Sequence, residues 1–290
     1  RDYFIEFLTK FPDDPYAGEA MYSLGWTFLN EERYSDAARV FGETAQKYQD
    51  ENLRVRALFR KGKAEQLDGQ AENAESTYME LVKQFPESSY ADDALFESAS
   101  IRYERKDFET AVNLFNRVST RYPDSNVLFP ALKMAAESYV SMDKIPEAIP
   151  YYQRVAESAQ DNSLKANSVY QLGWCYFKTE EFGKAAQRYM AFANTNPSSP
   201  LAPESIFWSG EALYRTESHE DAVAQYTRLI NGFSRHERIP DAFYGRGYAH
   251  LKMKNYKQAI SDFETLIQRF PRHPYVEDAK TQLADTRYRL

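Results

Sequence analysis

The residues that could do chemistry are four histidines, one thiol and a few carboxylate pairs. His219, His236, His250 and His273 stand far apart, in linkers or alone on helices. Zinc binding or general acid–base catalysis would need them grouped with one another or with acids, so they read as structural or solvent-facing. Cys175 is the one cysteine, which excludes an intrachain disulfide and a thiol-based metal site. Its setting, Leu172-Gly-Trp-Cys-Tyr-Phe177, makes it a small buried apolar group. Asp92-Asp93 and Glu31-Glu32 read as capping and linker charges. There is no glycine-rich phosphate loop, nucleophile elbow or paired-carboxylate motif. The expectation is a chain without catalytic, cofactor-binding or metal-binding residues.

What is left is recognition chemistry. Tyr22, Phe59, Phe96, Lys133, Tyr170, Phe207, Tyr244 and Thr281 follow one another at steps of 37 residues, and six of these eight are aromatic. Four residues further on runs a second series, Trp26, Lys63, Ser100, Glu137, Trp174, Glu211 and Tyr248. Tyrosine and tryptophan bury large area at low entropic cost and dominate interface hot spots, so an extended or helical peptide could lie along such a stripe. Two readings stand side by side: the rings line a groove, or they pack on the adjacent repeat and only their edges reach it. Lys63 and Lys133 read as isolated cations, either solvated or available to an acidic partner.

The elements that must hold this stripe obey the same ruler. Phe41, Tyr78, Phe115, Tyr152, Tyr189, Tyr226 and Phe263 are 37 apart, and Ala37, Ala74, Ala111, Ala148, Ala185, Ala222 and Ala259 keep pace four residues before them. A fixed period in this range is the mark of a repeat array. Each repeat divides into two amphipathic stretches, about Tyr16–Asn30 and Ser35–Tyr48 in the first, joined by a short polar linker such as Glu31-Glu32-Arg33. A third series, Gly25, Gly62, Ala99, Ala136, Gly173, Gly210, Gly247 and Ala284, holds only small residues. Because glycine weakens a helix interior, the series implies a neighbouring backbone that approaches too closely for a side chain, with the large aromatic of the partner helix filling the remaining space.

Phe-Pro or its like (Phe11-Pro12, Phe85-Pro86, Tyr122-Pro123, Asn196-Pro197, Phe270-Pro271) stops the second helices. Asp13-Asp14-Pro15 is expected to start the next helix with proline in its first position. Residues Gly232 to Pro240 lack the stop, which predicts a looser turn, a local hinge or contact loop. Repeats are expected at 13–49, 50–86, 87–123, 124–160, 161–197, 198–234 and 235–271, as one array. Residues 1–12 read as the second helix of a preceding repeat and 272–290 as the first helix of a following one. Phe4, Phe7 and Leu283 are then left without partners, which predicts end-to-end association. The fold class is all-α, a solenoid of antiparallel helix pairs in a right-handed superhelix.

With 36 basic and 43 acidic residues the net charge is −7, and no basic stripe exists to hold nucleic acid. Apolar residues make up 43%, enough for a core, yet no run approaches the roughly 20 needed to span a membrane.

Gly25, Phe28, Ala37, Phe41 and the proline position at 49 have the spacing of the tetratricopeptide repeat, and the chain is identified as resembling that family, in a variant three residues longer than the ordinary repeat of about 34. Glu65 and Arg102 depart from the pattern at the Phe28 position. Phe85-Pro-Glu-Ser-Ser-Tyr-Ala91 and Tyr170-Gln-Leu-Gly173 resemble, more narrowly, bacterial envelope members of the superfamily. Among these are the lipoprotein of the outer-membrane β-barrel assembly machine and the Tol–Pal-associated cell-division coordinator. The resemblance implies a non-catalytic scaffold that binds protein segments on the concave face formed by first helices, in the periplasm or at the outer membrane, with any lipid anchor outside this sequence. A cytosolic or motility-complex scaffold, or the targeting domain of a larger enzyme, are the alternatives. The lysine–asparagine clamp of chaperone-tail-binding relatives is missing: Tyr22 with Trp26, Phe59 with Lys63 and Tyr170 with Trp174 stand at its positions.

Overall fold

The computed structural model describes residues 1–289, and all the regular structure among them is α-helical. Leu290, expected in the last helix, lies outside the described residues. The chain divides into two compact units at Asp143 and Lys144. The first contains α1 (Asp2–Lys10), α2 (Ala17–Asn30), α3 (Tyr34–Lys47), α4 (Glu51–Leu67), α5 (Ala71–Gln84), α6 (Ala91–Glu104), α7 (Phe108–Arg121) and α8 (Leu128–Ser141). The second contains α9 (Ile145–Ser158), α10 (Asn162–Lys178), α11 (Phe182–Thr195), α12 (Ala202–Arg215), α13 (His219–Gly232), α14 (Ile239–Lys252), α15 (Tyr256–Arg269) and α16 (Val276–Arg289). Within each unit every helix packs on the next in sequence, and first helices also touch first helices, as α2 does α4 and α12 does α14.

The second-helix aromatic and alanine columns form the spine of both units. Phe41, Tyr78, Tyr226 and Phe263 have no exposed surface, and neither does any of the seven alanines. The small residue of the first helix faces that ring, and the sequence expectation of an approaching backbone is corrected here. A Cβ built on Gly25 would stand 2.6 Å from Cε1 of Phe41, and one on Gly62 would stand 2.6 Å from Cε1 of Tyr78. The crowding partner is the ring itself, whose flat face lies where a methyl group would be.

Backbone strain also follows the ruler. Glu32, Gly69, Lys106, Asp143, Glu180, Glu217 and Lys254 are 37 apart, follow the first helices, and all have positive φ between 58° and 77°. A turn this short must use one left-handed residue to reverse the chain, and only Gly69 is the residue type that does so freely.

The turns into first helices come in two kinds. After Phe85 the chain forms two successive tight turns, Ser88 N–H donating to Phe85 O and Ala91 N–H to Ser88 O. Asp14 accepts from the Tyr16 N–H at 2.8 Å, and α2 starts only at Ala17, so Pro15 belongs to the turn and not to the helix. Residues 233–239 form the same two turns, His236 N–H donating to Phe233 O and Ile239 N–H to His236 O, which replaces the expected loose hinge. Phe233 supplies the aromatic without needing proline, and Arg238 ties the segment to Glu204 and Asp241 at 2.9 Å and 3.2 Å. Gln49 and Gln160 also stand where the proline would be, and there Asp50 and Asp161 cap α4 and α10 through Leu53 N–H and Leu164 N–H, so that these helices start early and run to 17 residues instead of 14.

Two departures from the repeat pattern are settled by pairing. Buried Glu65 accepts from the Thr77 hydroxyl at 2.7 Å, and Arg102 binds Glu75 at 2.6 Å and Asp107 at 3.1 Å. At the amino-terminal end, Phe4 packs with Leu8 against the cluster around Phe41, and Phe7 lies 5.6 Å from Phe11, so neither phenylalanine is bare as expected. Leu283 is likewise half-buried. The exposed apolar groups there are Tyr3, Ile5, Phe11 and Tyr16.

Candidate protein-docking site

The aromatic stripe sits where the ruler put it, one residue per first helix, and it is mostly wall material. Tyr22 of α2 lies 5.4 Å from Phe41, Phe59 of α4 5.7 Å from Tyr78 and Phe96 of α6 5.7 Å from Phe115. In the second unit Tyr170 of α10 lies 5.6 Å from Tyr189, Phe207 of α12 6.3 Å from Tyr226 and Tyr244 of α14 6.5 Å from Phe263. All six rings lie against the spine; Phe207 is buried and the others are half-buried. Each first-helix aromatic therefore has one face in the core and an edge toward solvent, a compromise between the two readings.

In the first unit the chain covers these edges itself. The Arg56 guanidinium lies 4.5 Å from the Tyr22 ring centre and that of Arg60 4.5 Å from Trp26, while Arg56 also binds Glu19. Lys63 and Lys133 are not isolated cations. Lys63 Nζ reaches Gln66 at 3.2 Å and Glu97 at 3.4 Å, and Lys133 pairs with Glu137 one turn along α8, because acids recur on the same faces.

The second unit has two open clefts on this surface. One, of about 310 Å³, is walled by Trp174, Phe177 and Lys178 of α10, by Phe182 at the start of α11, and by Trp208 and Arg215 of α12. Lys178 Nζ stands 5.7 Å from the Trp174 ring. The other, of about 270 Å³, is enclosed by Phe207, Glu211 and Tyr214 of α12, Tyr226 of α13, Asp241, Tyr244, Gly245 and Tyr248 of α14, and Tyr275 just before α16. Tyr275 stacks on Tyr244 at 4.3 Å, and the Tyr244 and Tyr248 hydroxyls both donate to Asp278, at 2.8 Å and 2.6 Å. The Tyr226 hydroxyl donates to Glu211 Oε1 at 2.6 Å. Burial raises the Glu211 pKa, that hydrogen bond opposing it only in part, and burial pushes the Tyr244 hydroxyl up to about 12.

Sequence reasoning found Trp174, Phe207, Tyr244 and Tyr248 but missed Trp208, Tyr214 and Tyr275, which come from other columns. A signal was present: in the column Ser23, Arg60, Glu97, Met134, Gln171, Trp208, Gly245 and Gln282 only Gly245 lacks a side chain, and the Tyr226 ring, which lines the second cleft, takes the place of one. Two histidines bond to the backbone, and His273 also reaches Asp241 through Nε2 at 3.3 Å. His236 Nδ1 accepts from Arg238 N–H and His273 Nδ1 from Tyr275 N–H, each within an inter-repeat turn. Among the described residues no three His, Cys, Asp or Glu side chains converge in a metal-binding group, and no helix is long and apolar enough to cross a membrane.

Helical hairpins in register, meshed small-to-large and exposing first-helix side chains, define an α-solenoid scaffold for protein–protein interaction. Residues 56–88 and 93–125 match the model of the tetratricopeptide repeat. Residues 162–290 match the family model YfiO, described as outer membrane lipoprotein. No curated protein matches the chain. Its fold is similar to that of the C-terminal part of a repeat-containing protein from Cytophaga hutchinsonii, with TM-score 0.62 and 13% identity over 89% of this chain and 98% of that one. It is similar also to YrrB, described as a protein of this class with an unusual peptide-binding site, with TM-score 0.56 and 18% identity over 70% of this chain and 97% of the other. A repeat protein from Parabacteroides merdae has TM-score 0.52 and 14% identity over 93% and 98%.

Proposed function

We propose that this chain is a non-catalytic scaffold of a bacterial cell-envelope assembly, working in the periplasm or at the outer membrane, that docks segments of partner proteins on its first-helix face. The observation that carries the reading is the position of the two aromatic clefts: both lie within residues 162–290, the stretch similar to the outer membrane lipoprotein family. The surface is preorganised, since the rings that line it are already held by the spine, so a docking segment orders itself and little of the scaffold. The 37-residue register, unbroken from residue 13 to 271, supports reading the repeats as one array. The peptide-binding site named for YrrB agrees with this use of the fold.

The test is fractionation of native cells followed by co-purification with the wild type and with Trp26→Ala/Trp174→Ala. The protein is expected in the envelope fraction, and the double variant is expected to keep its helical content while recovering roughly tenfold less partner, the loss typical of a removed hot spot. Cytosolic fractionation, or undiminished recovery, refutes the proposal.

A further inference from the structure

The first unit shows what this surface does with aromatic pairs one helical turn apart. Tyr22 and Trp26 are covered by Arg56 and Arg60, each guanidinium 4.5 Å from its ring centre. Phe207, one repeat before Tyr244, is likewise covered by Arg238 at 5.2 Å. Tyr244 and Tyr248 are the same pair six repeats later, but the positions equivalent to Arg56 and Arg60 are Asp278 and Gln282, and no basic group of the described residues stands over either ring. The cation is missing and a carboxylate has taken its place.

The rest of the cleft suits an incoming cation. Glu211 lines its wall, hydrogen-bonded by Tyr226 and with no basic group of the described residues at ion-pair distance. Asp278 accepts from the two tyrosines and, among the described residues, is in no ion pair. Asp241 is already held by Arg238 at 3.2 Å and His273 at 3.3 Å, and Arg238 is further engaged by Glu204; Arg215, the other basic group whose charge Glu211 feels, lies beyond ion-pair distance of it. A volume of 270 Å³, about nine waters of liquid, admits one long side chain rather than a helix.

We propose that this cleft takes the cationic side chain, arginine in preference to lysine, of a basic segment of a partner protein, an inference that rests on the docking role proposed above. The planar guanidinium stacks on tyrosine while hydrogen-bonding to Glu211, and Asp278, held by the two tyrosine hydroxyls, adds negative charge beside the cleft, whereas an ammonium acts as a point charge.

The probe is the peptide acetyl-Gly-Arg-Gly-amide, titrated into uniformly labelled protein and followed by amide NMR, with its lysine and citrulline analogues alongside. Shifts are expected at Gly245, Tyr248 and Tyr275, weaker with lysine and about tenfold weaker with uncharged citrulline. Glu211→Gln, which keeps an acceptor for Tyr226 and removes a charge that burial already disfavours, is expected to weaken binding by about tenfold with an otherwise unchanged spectrum. Equal response to citrulline, or shifts spread over the acidic surface and indifferent to Glu211→Gln, overturns the inference. Neither result touches the docking role itself, which is tested at Trp26 and Trp174, outside this cleft.

Discussion

The meshing of small residue against ring makes a prediction that two glycines in the same column must obey differently. In Gly62→Ala the new methyl would meet Cε1, Cδ1 and Cζ of Tyr78 at 2.6, 2.9 and 2.9 Å, and that ring has no exposed surface into which to retreat. Forced overpacking of this kind costs about 1–3 kcal/mol, against which alanine returns up to about 1 kcal/mol of helix propensity. The net expectation is a loss of about 1–2 kcal/mol. At Gly173 the nearest atoms of Tyr189 stand 3.1 Å from the added methyl, so a shift of a few tenths of an ångström accommodates it. Gly173→Ala is therefore expected to be neutral or stabilising by up to about 1 kcal/mol. Urea unfolding followed by circular dichroism, with amide exchange on α4, α5, α10 and α11 to localise each effect, separates the two. Equal losses at both glycines, or a gain in Gly62→Ala, would show that ring contact does not set this column.

Other consequences can be measured alongside. Glu180, at φ 61°, sits in the left-handed region, and Glu180→Gly is expected to stabilise by about 1 kcal/mol while Gly69→Ala, at φ 77°, costs about as much; unfolding midpoints report both. Asp262 is 4% exposed and holds Arg246 with two hydrogen bonds at 2.9 and 2.6 Å, so Asp262→Ala strands a mostly buried guanidinium and is expected to lose about 3 kcal/mol, with Thr227 left as its remaining partner. Burial pushes the Cys175 thiol up to about 12 and raises Tyr78, Tyr189 and Tyr226 as well. Folded pKa values above unfolded ones mean that the unfolded chain loses protons first, so this stability is intact below about pH 9 and falls as pH rises beyond it. The urea midpoint is expected to fall from about pH 9 upward, toward the folded Cys175 value of about 12, and Cys175 to resist thiol reagents at neutral pH until the chain unfolds.

Much of the fold was legible because a repeat states its rules several times. Phe41 or Ala37 alone is an ordinary buried residue; seven of each at a constant step identify the spine and the helix that carries it. The stripe from Tyr22 to Tyr244 was legible as position but not as exposure. A ring's solvent-facing edge depends on residues from the next first helix, such as Arg56 and Arg60, whose covering role is not written in their own columns. The left-handed turn residues were illegible for the opposite reason: five of seven are glutamates or lysines with no preference for that conformation, held there by the short turns between helices.

The sequence by itself determined the period, the helical hairpins and the small-against-large interlock, since all of these follow from local spacing. Only the tertiary structure decided that Lys63 and Lys133 are paired, that the segment after Phe233 turns as tightly as its proline-bearing equivalents, and that Tyr244, Tyr248 and Tyr275 surround an acid-walled cleft while Tyr22 and Trp26 lie under arginines. These depend on side chains roughly one repeat apart meeting across neighbouring helices, and whether such a pair attracts, covers or leaves a gap is fixed by which residues face each other there.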